Sequence, residues 1–153
     1  MSISDNLDML SCELMGEAFD RLASGKGLAV VASIMDEADE RLTCEFDDDS
    51  PEVCLEAARE WVRRRGSAVA GAKGSEPAQG LTGARYYAIA YQGAVAVGDL
   101  ENEEAYQDVL LLEFGEQGAE CGYSAYALVQ GVGKGEGFRW TDPLPAGELP
   151  CLL

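Results

Sequence analysis

The spacing of the apolar residues changes along this chain, and that change constrains the fold more than any other feature. Between Asp5 and Ala23, apolar residues recur every three or four positions, which is the spacing of one face of an α-helix. The stripe consists of Leu7, Leu10, Leu14, Ala18 and Leu22. Ser4 or Asp5 can cap the start, and the glycines that follow Ser24 can end the helix. The first segment is therefore predicted to be an amphipathic helix.

A second helix is predicted to begin in the segment from Asp47 to Pro51 and to end at Gly66. A carboxylate or hydroxyl ahead of Pro51 can accept from the free amides of the first turn. Three consecutive arginines precede Gly66, at the end of the helix where cations are favoured. The run of aspartates at 47–49 is interpreted as this helix start, because it lacks the ligand spacing and central glycine of an EF-hand calcium loop.

Two short strands are predicted between the helices. The run from Leu28 to Met35 is apolar on both of its faces, as in a strand that is buried on both sides. The run from Arg41 to Phe46 alternates between apolar and polar residues, as in a half-buried strand. We expect the two runs to form a hairpin. The alternative is that Ile34 to Leu42 is helical.

The second half of the chain is predicted to be a series of strands. They cover 85–91, 94–97, 108–114, 121–130 and 138–140, and a tight turn is expected at Gln92-Gly93. Runs of strands with segregated helices are typical of α+β domains. The sequence therefore predicts an α+β fold, in which two amphipathic helices pack on one face of a mostly antiparallel sheet of five to seven strands.

The chain is expected to form a single domain over residues 1–153, since its length fits one domain and 47% of its residues are apolar. Residues 67–83, rich in alanine and glycine, are predicted to be a flexible loop. Residues 141–153 contain Pro143, Pro145 and Pro150, and are predicted to be an irregular tail.

The charge excludes some partners and favours others. The chain has 28 acidic and 11 basic residues, and its net charge is −17. Such a surface repels nucleic-acid phosphates and anionic membranes, so neither is expected as a partner. The acid is concentrated in Asp36–Glu52 and Asp99–Glu120, each with a net charge of −8, whereas Arg59–Arg85 carries +4. This pattern suits a basic partner, although an acidic surface that serves only solubility explains it as well.

No catalytic, metal or cofactor site is predicted. The chain has no histidine, which excludes imidazole bases and histidine-ligated metals. Its five cysteines are irregularly spaced and include no CxxC pair. The glycine-rich segment 131–137 matches neither the GxGxxG pattern nor the Walker loop, the two phosphate-binding patterns it could suggest. It is interpreted as a flexible hairpin loop. Without a signal peptide or an apolar run long enough to span a bilayer, a cytoplasmic location is expected.

The strongest functional signal is a set of aromatic residues in the predicted sheet. The candidate interaction or ligand face consists of Tyr86, Tyr87, Tyr91, Tyr123, Tyr126 and Trp140, with Arg85 and Arg139 beside them. An exposed aromatic face marks a partner surface, whereas burial beneath the tail would give these residues only a packing role. We expect a non-catalytic protein-interaction module that binds a protein partner or forms a homodimer. The alternative is a small-molecule-binding domain or enzyme that uses carboxylate and tyrosine chemistry, with the two arginines holding an anionic ligand.

Overall fold

A computed structural model describes residues 4–25, 30–36, 40–46, 50–67, 84–96 and 106–153. The elements, in chain order, are α1 (Asp5–Ser24), β1 (Val30–Met35), β2 (Arg41–Phe46), α2 (Pro51–Ser67), β3 (Tyr86–Ala96), β4 (Tyr106–Glu116), β5 (Gly122–Gln130), β6 (Arg139–Trp140) and β7 (Leu144–Leu149). All pairs are antiparallel, in the order β2-β1-β3-β4-β5, and both β6 and β7 pair with β5. The predicted α+β class and antiparallel sheet are confirmed. The predicted loop at 67–83 lies outside the described residues, except for Ser67 at the end of α2.

The predicted hairpin in the first half is confirmed, and the alternative helix over 34–42 is wrong. β1 and β2 pair from Val30 opposite Phe46 to Met35 opposite Arg41. The amide of Asp36 donates to the carbonyl of Glu40 at 3.0 Å, and the Asp36 carboxylate accepts from the Glu40 amide at 3.0 Å. These bonds extend the pairing of the two strands beyond Met35.

The two helices lie on opposite faces of the sheet, so the predicted packing on one face is wrong. Val31 and Met35 of β1 pack into the core beneath α1, whereas the alternate residues Val30, Ala32 and Ile34 pack into the core beneath α2. We refer to these two sides of the sheet as the α1 face and the α2 face. Because successive side chains of a strand point to opposite sides, a strand that is apolar throughout needs a cover on each side. All six residues of β1 are buried accordingly.

The turn predicted at Gln92-Gly93 is also wrong, because β3 continues through both residues to Ala96. Gly93 pairs with Val109 of β4, and a β-carbon at Gly93 would lie 2.7 Å from Cδ1 of Leu111. Glycine at this position makes room for a side chain of the neighbouring strand rather than reversing the chain.

The predicted irregular tail is wrong for residues 144–149, which form β7 against β5. Proline is tolerated there because no described strand pairs beyond β7, so its outward amides have no ladder partner to lose. The register shifts between Ser124 and Ala125, and Gly147 has a φ of +143°. Beyond β7, the last three residues pack against the core beneath α2.

Candidate functional site

The tyrosines of the predicted aromatic face are divided between the two sides of the sheet. Tyr86 and Tyr123 pack against the core beneath α1. Tyr87 and Tyr91 pack in the core beneath α2, and the strand register places Tyr126 on that same side. The five side chains therefore do not form one continuous surface.

Trp140 remains exposed, with 55% of its surface accessible, although Phe19 of α1 stacks on it at a centroid distance of 5.0 Å. The two arginines are far apart along the strands. The Arg85 carbonyl accepts from the amide of Gln117, just beyond β4, whereas Arg139 pairs with Gln130 at the opposite end of β5. They cannot hold one small anion together.

A buried polar cluster joins α2 to the sheet, and no sequence pattern indicated it. Glu113 of β4 is only 4% exposed. Arg59 of α2 donates to both of its carboxylate oxygens, from Nε at 2.9 Å and from Nη2 at 2.6 Å, and the Tyr91 hydroxyl donates to Oε2 at 2.8 Å. The hydrogen bonds to Glu113 raise the pKa of Arg59, while burial and then the Glu113 charge raise that of Tyr91. The cluster accounts for the buried charge from within the chain, which indicates a structural role.

Tyr87 joins the sheet to the residues that follow β7, and two glycines make room for its ring. Its ring lies over Gly115 and Gly122, where an added β-carbon would approach the ring and its hydroxyl to 2.7 Å and 2.5 Å. The backbone of Leu152 hydrogen-bonds to the same hydroxyl, and burial raises its pKa. Small residues on β4 and β5 are therefore required for the tyrosine to reach the tail.

The glycine-rich segment 131–137 holds the end of α1. The carbonyl of Leu22 accepts from the amide of Gly133 at 2.7 Å and from that of Gly25 at 3.3 Å. A β-carbon on Gly25, which has a φ of +78°, would lie 3.3 Å from the Cα of Gly133. The two backbones meet closely because neither residue has a side chain, so this segment completes the C-terminal cap of the helix.

The outer edge of β2 is open in the described part of the chain, since no described strand pairs beyond it. The amide of Asp36 donates to the carbonyl of Glu40, so these two residues form a hydrogen-bonded pair of the antiparallel ladder. Hydrogen-bonded and non-hydrogen-bonded pairs alternate along such a ladder. The alternation places Leu42, Cys44 and Phe46 in bonded pairs with β1.

The intervening residues of β2, namely Arg41, Thr43 and Glu45, direct their amides and carbonyls outward. The carbonyl of Met35 supports this assignment, because it accepts from the amide of Arg85 on the other side of β1.

The side chains at this edge are held by α1. Arg41 donates to Glu13 at 3.1 Å and to Glu17 at 3.2 Å, and its Nε donates to the Ser33 hydroxyl at 2.7 Å. Arg21 donates to Glu45 at 2.7 Å. These bonds join the side chains of β2 to α1 and to β1, and so restrain the strand within the fold.

No helix among the described residues is long and apolar enough to cross a bilayer. Comparison of the chain with protein-family models, with curated proteins and with solved structures finds no match.

Proposed function

We propose that this protein is a non-catalytic interaction module that binds a protein partner by pairing an extended segment of that partner with the outer edge of β2. The observation that carries the proposal is the set of outward backbone groups on Arg41, Thr43 and Glu45. An open strand edge is a template for another strand, and proteins use such edges to bind extended peptides.

Comparison with the opposite edge of the sheet supports the choice of β2. β7 contains Pro145 and Gly147, whose φ is +143°, and its pairing with β5 shifts register between Ser124 and Ala125. Prolines and irregularities of this kind prevent strand addition at sheet edges. β2 has six residues without proline, and its pairing with β1 is continuous.

The expected binding is weak and depends on side chains. A ladder on three outward residues makes about six hydrogen bonds, each contributing about 1 kcal/mol net in water. Association costs about 4–15 kcal/mol in lost freedom of motion. The backbone ladder alone therefore roughly balances the lower end of that cost, so the side chains of the partner must decide which segments bind.

The test is a proline at a position whose amide points outward. Thr43→Pro removes an edge donor but no backbone bond to β1, and Thr43→Ala is the matched control because both variants lose the side-chain hydroxyl that bonds to Ser33 of β1. Peptides selected on the wild-type protein from a displayed random library should bind Thr43→Ala like the wild type. Their affinity for Thr43→Pro should fall by about tenfold or more, the equivalent of about 1.4 kcal/mol.

Circular dichroism and thermal unfolding check that Thr43→Pro is folded. If it is not, Glu45→Pro against Glu45→Ala repeats the comparison at another outward amide. Selected peptides that bind the folded proline variant as tightly as the wild type would contradict the proposal.

A further inference from the structure

We infer that the segment accepted by β2 is basic: a short extended peptide that carries lysine or arginine at alternate positions and apolar residues between them. The inference rests on the proposed function, and it names the chemistry of the partner. It comes from the different character of the two sides of the β2 edge.

On the α1 face, the edge presents carboxylates. The Glu13 and Glu17 side chains are 51% and 54% exposed, whereas the Arg41 that bridges them is 23% exposed. Glu45 is likewise more exposed than its partner Arg21, at 42% against 34%. Each carboxylate is more exposed than the arginine that pairs with it, so cations from a partner strand can approach this side.

On the α2 face, the same edge is apolar. Leu42 and Phe46 pack partly buried against the core beneath α2, and Phe46 meets the ring of Trp61 edge-on at a centroid distance of 6.0 Å. Because alternate residues of an added strand face opposite sides, the partner needs cations on one side and apolar residues on the other.

The charge of the surrounding sequence favours the same occupant. The segment Asp36–Glu52, which contains β2, has nine acidic residues and one arginine. A basic peptide is attracted to such a segment, and its association weakens as salt screens the charges.

A second copy of the chain is the main competitor, and its own edge shows why it is disfavoured. Two β2 strands can pair antiparallel about Thr43, which would set Arg41 opposite Glu45 of the second copy. This pairing also brings together two segments that each carry a net charge of −8, in chains that each carry −17. The repulsion between them opposes the contact.

The experiment uses three labelled peptides of about seven residues, a common strand length. Valine alternates with lysine in the first, with serine in the second and with glutamate in the third. Their binding to the wild-type protein, Thr43→Pro and Thr43→Ala is measured by fluorescence anisotropy at low and high salt. We expect the lysine peptide to bind the wild-type protein with an affinity at least about tenfold higher than that of the serine peptide. Its affinity should fall at high salt. Of the two variants, only Thr43→Pro should bind it more weakly than the wild type.

A second pair of variants locates the charge effect. Glu45→Gln should weaken the lysine peptide and leave the serine peptide unchanged. Glu148→Gln, on exposed β7, removes the same charge at the far edge of the sheet and should change neither.

The alternative outcomes separate the two proposals. If Thr43→Pro weakens the lysine and serine peptides equally, and both bind the wild type equally, edge pairing stands and the basic character of the partner is refuted. If the lysine peptide binds Thr43→Pro as tightly as the wild type, the proposed edge function is refuted. Sedimentation of the wild type as a dimer that Thr43→Pro dissociates would make the second copy the occupant and would also refute the basic-peptide inference.

Discussion

The ion pair between Arg59 and Glu113 allows a quantitative prediction about stability. Arg59→Met removes both charge-assisted bonds to the Glu113 carboxylate, which is 4% exposed, and among the described residues it leaves the Tyr91 hydroxyl bonded to that carboxylate. Breaking a buried pair from one side costs about 3–5 kcal/mol, because the other charge stays buried. The Arg59 side chain is 29% exposed, so water can reach the vacated position, and we expect a loss of about 3 kcal/mol. For a chain of this size, that lowers the melting temperature by roughly 6–12 °C.

The second variant shows whether charge is the cause. Arg59→Met combined with Glu113→Gln removes both charges, keeps the shape of the side chain at 113, and retains an acceptor for the Tyr91 hydroxyl. Chemical denaturation followed by circular dichroism gives the free energy of unfolding of each variant. We expect the double variant to be more stable than Arg59→Met alone. A double variant that is equally or less stable would show that lost packing, rather than an uncompensated charge, causes the destabilisation.

Two further predictions concern glycine and tyrosine. Gly122→Ala should destabilise the protein by about 2 kcal/mol, since the new methyl group overlaps the Tyr87 hydroxyl, whereas Gly16→Ala in α1, where a β-carbon meets nothing within 4 Å, should stabilise it by about 0.5–1 kcal/mol; equal thermal shifts would contradict both. Burial raises the pKa of Tyr87 and Tyr91 in the folded protein, so their contribution to stability is complete below the unfolded value near pH 10 and is lost as the pH rises above it. An ultraviolet titration should show two tyrosines of the folded protein ionising at higher pH than the tyrosines of the denaturant-unfolded chain, and identical titration curves for the folded and unfolded chains would refute this.

The sequence was sufficient for the elements that depend on local periodicity. α1, the β1–β2 hairpin and α2 follow from apolar spacing and from end signals. The Ser4 hydroxyl, for example, accepts from the amide of Leu7 at 3.2 Å, as a helix cap should. The sequence also contained the information that places the helices on opposite faces of the sheet, because a strand that is apolar on both faces requires a cover on each side.

Features that depend on tertiary contact could not be predicted in the same way. A glycine that reverses the chain and a glycine that admits a neighbouring side chain look alike in sequence, which explains the error at Gly93. Arg59 and Glu113 are 54 positions apart, and only the strand order brings them together. The open edge depends on which residues of β2 bond to β1, and a shift of one residue in the register would exchange the inward and outward sets.

The open edge of β2 also creates a hazard for the protein itself. A row of outward amides and carbonyls, with no further strand paired to it among the described residues, can add strand after strand, which is how aggregates and fibrils grow. Repulsion between chains that each carry −17 opposes the approach of a second copy while the carboxylates remain ionised, whereas a basic peptide is not repelled in this way. Protonation of those carboxylates in acid would remove the barrier. We therefore expect the net charge of −17 to oppose aggregation through the open edge of β2.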